Sequence, residues 1–250
     1  MSKGNRGRDR TAARRIVEQQ KAAARRRRVT AWTSAIVVLV LVASGLIGWG
    51  VYANQQKKTD ASKVTVPTVA VDSGTAFAVG TGPVQVDLYE DFMCPICREF
   101  EASTGDTIKQ LVTDKKITVR YHTVAILDSD SNGTNYSTRA AGAGAAAAEA
   151  GKFIEYHDVL YDNQPEENSD GLTDAKLIEL GKSVGLGDTF AQAVTDKTYD
   201  SWVSTVTDIF SKRGYTGTPT VVVAGQQVTG ANGGVPTAAA LTQAITAAAG

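Results

Sequence analysis

Thiols are almost missing from this chain. Of its 250 residues only Cys94 and Cys97 are cysteine. Histidine is as scarce, with His122 and His157 alone. A His/Cys metal centre therefore has little support, because a second pair of ligands is lacking, and the expectation is no metal and no cofactor. No internal repeat is evident, which sets the repeat architectures aside. Net charge is zero, but the balance hides a split. Residues 1–28 hold eleven Lys and Arg against Asp9 and Glu18, a net of +9. Residues 29–250 hold fifteen basic and twenty-four acidic residues, a net of −9.

Charge is absent altogether from residues 29–56, whose centre, 35–51, is dominated by Val, Leu, Ile and Ala. Spanning a bilayer takes about 20 apolar residues at about 1.5 Å each, and this stretch supplies them. Trp32 lies near one end, Trp49 and Tyr52 near the other, as interfacial aromatics do. The basic flank is N-terminal. The expectation is a cytoplasmic arm at 1–28, one transmembrane anchor at 29–54, a polar tether at 55–68 and an extracytoplasmic domain at 69–250, single-pass in the cell membrane. A cleaved signal peptide is the competing reading; Val51-Tyr52-Ala53 is a poor small-x-small site, Val42-Ala43-Ser44 a weaker one, and the arm is long for a signal's basic region. A buried soluble helix would need a polar face, which the run lacks. Arg25–Arg28 could bind nucleic acid, but the apolar run that follows at once makes it a topology signal, and no nucleic-acid partner is expected.

After residue 60 there remain 190 residues, enough for one domain with a full core. Residues 76–79 and 84–89 read as strands around the turn Thr81-Gly82-Pro83. The second alternates, with Val84, Val86 and Leu88 on one face and Gln85, Asp87 and Tyr89 on the other. A helix is predicted from Pro95 to Leu111, and a strand over 117–124. A long helical section follows, about 134–213, in which Phe153, Tyr156, Val159 and Leu160, and later Trp202, Val206, Ile209 and Phe210, form core stripes at helical spacing. Residues 165–171 are a polar break, and Asn135 reads as a helix cap. The alanine-rich runs at 140–150 and 238–249 read mainly as compositional bias of the genome. Strand pattern returns at 221–224 and 226–229, and residues 236–249 close as a helix.

Both thiols sit where an apolar strand gives way to a helix, in Glu90-Asp91-Phe92-Met93-Cys94-Pro95-Ile96-Cys97. A redox dithiol needs a first thiol that ionises near neutral pH, and the unpaired N–H groups of a helix start favour a thiolate. Pro95 suits the first helical turn, where its missing N–H costs nothing. Cys94 is then the attacking thiol and Cys97, about one turn on, the resolving one. A structural disulfide and half of a metal site are the alternatives; a two-residue loop removes little entropy as a staple. A redox site must also hold its target chain. Thr218-Pro219 stands directly before an apolar strand, where proline is unusual. A cis bond there would leave the Thr218 backbone open to a peptide, and an ordinary trans turn is the alternative.

Taken together, residues 91–97, Gly217-Thr218-Pro219-Thr220 and the helical insertion between two halves of a sheet resemble the DsbA-like branch of the thioredoxin superfamily. The likeness is to membrane-anchored, exported members from high-GC Gram-positive bacteria, and covers about residues 70–250. His157-Asp158-Val159-Leu160-Tyr161 also resembles the insertion of that branch. The resemblance implies an α/β thioredoxin-like fold with a helical insertion, here preceded by one transmembrane helix. It implies a cis-proline loop at Thr218 and Pro219 that binds substrate beside the dithiol, and oxidation or isomerisation of cysteines in exported proteins. As an oxidase the pair would be regenerated by a quinone-linked membrane partner of the DsbB or VKOR type; as a reductase it would need a membrane electron donor.

Two departures from that branch stand out. The buried carboxylate six residues before the first cysteine is replaced by Leu88. Asp87, Glu90 and Asp91 lie nearby, and Asp91 is the favoured substitute for proton handling. Ile96 replaces the histidine of strongly oxidising members, which implies a less oxidising potential. His122 follows Tyr121 on the strand after the CxxC helix and could tune the dithiol or merely fill the core; His157 reads as packing. The expected function is a tethered thiol–disulfide oxidase. The alternatives are a reductase or isomerase on the same fold, and a non-catalytic peptide-binding module with a structural disulfide.

Overall fold

The sheet is centred on a strand that ends at the dithiol. In the computed structural model, which describes residues 64–250, the chain runs β1 (Phe77–Gly80), β2 (Val84–Glu90), α1 (Pro95–Thr113), β3 (Ile117–Thr123), α2 (Tyr136–Glu149), α3 (Phe153–Asp162), α4 (Asp174–Ser183), α5 (Asp188–Thr195), α6 (Asp200–Lys212), β4 (Thr220–Val223), β5 (Gln226–Val228) and α7 (Ala238–Ala249). The arm at 1–28, the apolar span at 29–54 and the tether up to residue 63 lie outside the described residues. Among the described residues no helix is long and apolar enough to cross a membrane.

The strands lie in the order β1-β3-β2-β4-β5. β2 runs parallel to β3, joined through α1, and antiparallel to β4. β1 is antiparallel to β3, and β4 and β5 form a hairpin. Helices α1 and α7 pack on each other and on the sheet, and α6 packs on β3. The five helices α2–α6 are inserted between β3 and β4. The turn before β2 needs a glycine at 82, because a Cβ there would stand 2.1 Å from the Ile117 backbone nitrogen.

Alternation along β2 does not separate an inside from an outside. Gln85 is exposed, but Asp87 and Tyr89 are as buried as Val86 and Leu88. A central strand has neighbours on both faces. Asp87 is tolerated there because Arg120 of β3 grips it with two hydrogen bonds, 2.5 and 2.6 Å, and His122 adds a third at 2.9 Å. Tyr89 stacks on His122 with ring centroids 4.1 Å apart.

The alanine run of α2 has a packing reason that composition does not suggest. Residues 140–148 are buried throughout, with α3, α5 and α6 packed around them. Bulk is excluded: a Cβ on Gly142 would lie 2.7 Å from the Asp200 carboxylate, and Gly144 abuts Phe92 and Phe153. Asn135 precedes this helix in a left-handed conformation, φ 52°, and its side chain makes no capping bond. The first turn is capped from further back instead. The Asp128 carboxylate accepts from the Thr138 N–H at 2.9 Å, and Ser131 Oγ accepts from the Tyr136 N–H at 3.1 Å.

Candidate active site

Cys94 occupies the N-cap of α1 with extended backbone, and Pro95 takes the first helical position. Its sulfur therefore faces the open N–H groups of the first turn, those of Ile96 and Cys97. Cys97 lies one turn later and is fully buried. Both thiols are free. A hydrogen bond from Cys97 is the largest influence on Cys94; burial opposes it, and Thr218 and the two N–H groups add to it, so the Cys94 thiol is lowered to about 7. Cys97 moves the other way, because burial, that same bond and the nearby Glu90 carboxyl all disfavour its thiolate. One thiol is disposed to ionise near neutral pH and the other to keep its proton.

Thr218 and Pro219 come to this pair from the far end of the sequence. The Thr218–Pro219 peptide bond is cis. The Cys94 thiol donates to the Thr218 carbonyl at 3.3 Å. Thr218 Oγ1 is buried without a partner of its own. Residues 214–221 line one wall of a cleft of about 340 Å³, closed opposite by residues 227–229 and 233–236. Ile96 stands exposed at 45% beside Cys94, an apolar contact next to the reactive sulfur.

The loop that carries Cys94 is tied down from beneath. Asp91 is fully buried. Its carboxylate accepts from the Met93 N–H at 2.9 Å, Ser137 Oγ at 2.6 Å and the Leu127 N–H at 2.9 Å. Burial raises its carboxyl to about 6 against the pull of these donors. Asp91 thus joins the CxxC loop, the connector after β3 and the first turn of α2. Gln164, between α3 and the polar break, donates to the carbonyls of Phe92 at 3.1 Å and Cys94 at 2.9 Å. Tyr161 Oη donates to the Asp91 carbonyl at 3.4 Å.

His122 is bonded elsewhere. Its Nε2 pairs with Asp87, and its Nδ1 lies 3.4 Å from Thr75 Oγ1. The surrounding network adds Asp72, Arg120 and Arg213. Asp72, Asp87 and His122 bring three donor atoms within 4.8 Å of one another, as a metal site would. Arg120 and Arg213 already supply the positive charge to these carboxylates.

A second cluster lies behind the dithiol. Glu90 ends β2, Glu101 follows Cys97 by one turn on α1, and His157 comes from α3. Their donor atoms lie within 4.8 Å of one another. His157 Nε2 is 2.9 Å from Glu90 Oε2. Glu101 and Gln164 were not legible as site residues. Glu101 looks like any acidic position on a helix, and Gln164 stands in a stretch whose polarity signals only a loop. Glu90 was visible only as one of three acids near the cysteines, and the aromatic surroundings of His157, Phe92, Tyr121, Phe153 and Tyr161, are those of a packed core.

Comparison with known proteins supplies a family. A family model described as thioredoxin matches residues 72–246. The solved structure of reduced DsbA from Mycobacterium tuberculosis is 31% identical, with a TM-score of 0.61, covering 71% of this chain and 93% of that one. The reduced disulfide bond oxidoreductase DsbG from the same organism is 31% identical, with a TM-score of 0.59, covering 73% of this chain and 86% of that one. The serine/threonine-protein kinase PknE of M. tuberculosis is 33% identical over 121 residues, 46% of this chain. That match spans only about a fifth of the kinase, 21% of its length.

Proposed function

The chain belongs to the thioredoxin family, in its DsbA-like branch, and we propose that its activity is thiol–disulfide exchange through Cys94 and Cys97, run as an oxidase of exported proteins. One observation carries the reading: the Cys94 thiol, lowered to about 7 at a helix N-terminus, is bonded to the carbonyl that precedes a cis-proline. A substrate thiolate attacks Cys94 of the oxidised pair, and Cys97 leaves. A second substrate thiolate then attacks the mixed disulfide, and the substrate departs with its own disulfide. The cleft beside Thr218 and Pro219 holds the substrate segment, and Ile96 offers it an apolar contact. Residues 29–54 tether the domain to the extracytoplasmic face of the membrane, with the N-terminus cytoplasmic, and a quinone-linked membrane protein of the DsbB or VKOR type reoxidises the pair.

A second reading has an observation of its own. A first thiol near 7 matches thioredoxin, at about 7, rather than the strongly oxidising DsbA, at about 3.5. On that ground the same site would serve a reductase or isomerase, supplied with electrons through the membrane.

Equilibrating the full-length chain with glutathione decides the direction. A potential toward about −120 mV supports the oxidase, and one near about −270 mV replaces it with the reductase. Cys97→Ala tests the chemistry itself. The variant should accumulate mixed disulfides through Cys94, and a chain that traps none is a binding module.

A further inference from the structure

The loop that carries Thr218 and Pro219 is weakly held in its middle. Residues 214, 216 and 217 are exposed. Among the described residues no backbone carbonyl accepts from the N–H of Thr216, Gly217 or Thr218. Yet the Thr218 carbonyl meets the Cys94 thiol at 3.3 Å. The position of that carbonyl must therefore be set from the two ends of the loop.

Both ends converge on Tyr89 of β2. On the far side, β4 begins at Thr220, which lies opposite Tyr89 in the ladder. Thr220 Oγ1 donates back to the Gly217 carbonyl at 2.6 Å. On the near side, Arg213 ends α6 as its C-cap and donates to the Tyr89 hydroxyl. Gly214 then turns the chain with φ 85°. Tyr215 returns to the Tyr89 ring, with centroids 5.1 Å apart. Tyr89 is a firm anchor, because it is 2% exposed and packs against His122 and Phe210.

Arg213 has a second hold. Its other terminal nitrogen donates to Asp72 at 2.8 Å. Asp72 stands in the turn before β1, with φ 52°, and accepts from Thr75 Oγ1 and from Arg120 of β3, both at 3.1 Å. One planar guanidinium thus fastens the start of the loop to β2 directly and to β3 through Asp72. A lysine could not make both bonds with the same rigid fork. Resting on the exchange activity proposed above, we infer that Arg213 is a positioning residue for that reaction: its bonds to Tyr89 and Asp72 fix the loop 214–219 so that the Thr218 backbone meets Cys94 and the incoming peptide.

This role is separable from holding the fold together. The Arg213 side chain is 33% exposed, and ion pairs that open to solvent add little to overall stability. Losing the guanidinium leaves the sheet and helices in place and frees the near end of the loop. A small displacement there is costly to a reaction that depends on placement. A peptide substrate uses the loop and its cleft, whereas dithiothreitol needs only the Cys94 sulfur.

The test compares two reductants of the oxidised, full-length chain: a peptide with two cysteines, and dithiothreitol. Arg213→Gln should lose about tenfold in kcat/KM for the peptide, mostly through a higher KM, and stay within about threefold of wild type for dithiothreitol. Its Cys94 alkylation midpoint in the reduced form should rise from near 7 toward about 8.5, because the contribution of Thr218 is weakened. Tyr89→Phe removes only the hydroxyl that Arg213 binds, keeps the packed ring, and should show the same selective loss. The double variant should lose no more than Arg213→Gln alone, since both changes break one bond. Single losses that multiply in the double variant show two unrelated effects and overturn the shared device. Wild-type peptide kinetics and an unmoved midpoint in both single variants overturn the positioning role and leave the exchange activity standing. A wild type that oxidises neither reductant overturns the exchange activity, and this inference with it.

Discussion

The Cys94 sulfur lies 3.3 Å from the Thr218 carbonyl oxygen, across 124 residues of sequence. The thiol can donate to that carbonyl, but a thiolate cannot. Ionisation therefore exchanges this bond for contact with donors: the N–H groups of Ile96 and Cys97, the Cys97 thiol, and the Thr218 hydroxyl that otherwise lacks a partner. Thr218→Val removes only the hydroxyl. Alkylation of Cys94 in the wild type should follow a titration centred near 7, and in the variant the midpoint should move up toward the ordinary thiol value of about 8.5. An unmoved midpoint would assign the lowering to Cys97 and the helix start alone.

Asp91→Asn should cost stability without retuning Cys94. The carboxylate accepts three donors from three segments, and an amide offers only one oxygen to them. A loss of about 2–3 kcal/mol is expected from a buried, partly unsatisfied network. Urea unfolding measures the loss. The Cys94 alkylation midpoint, recorded on the same sample, should stay in place.

Gln164→Ala should loosen the dithiol loop. Two hydrogen bonds, to the carbonyls of Phe92 and Cys94, disappear together. The expected loss is about 1–2 kcal/mol in urea unfolding. Faster hydrogen exchange of the Phe92–Cys97 amides, with the sheet amides unchanged, would place that loss in the loop.

Stability should decline as pH rises from mildly acid to alkaline. Asp91, Glu101 and His157 are raised from 3.8, 4.5 and 6.5 to about 6, 8 and 10. For His157 burial opposes the charge, but Asp158 and Glu90 outweigh it. A group raised in the folded state stabilises fully below its unfolded value, and that contribution is lost as pH climbs through the folded value. Asp72, Asp87 and Asp158 are lowered: burial resists, and their cationic partners prevail. Their contribution is lost only as pH falls below about 4. The melting temperature of the full-length chain should peak between about pH 4 and 6 and fall toward pH 10. Glu101→Gln should flatten the part of that fall between pH 5 and 8, and an equal fall in wild type and variant would remove Glu101 as a cause.

The placement of Cys94 and Cys97 at a helix start was legible, because a C-x-x-C spacing follows directly on an apolar strand pattern and carries a proline suited to the first helical turn. The proline before β4 was legible for a similar reason, since a residue that cannot donate is conspicuous next to a ladder. What lies beneath the dithiol was not. Leu88 announced that the familiar buried acid was gone, and the nearest candidate in sequence, Asp91, is spent on three local donors. The acids that do meet behind Cys97 come from a strand end and a helix face, and only the crossover from β2 through α1 brings them together. Periodicity also missed the double burial of β2, because alternation assumes one wet face and beyond Gln85 this strand has none.

The narrowness of α2 bears on how this domain could be cut down. Its small side chains let Ser137 reach Asp91 and let Gly144 lie against Phe92, while α3 and the segment after it deliver His157, Tyr161 and Gln164 to the same loop. A minimal redox module made by excising α2 to α6 and joining β3 to β4 would retain both cysteines and the proline. It would keep the tools and lose the bench: the loop's acceptors would open to water, and the thiols would revert toward those of a short peptide. The insertion is the foundation of the site, and the chemistry cannot be inherited without it.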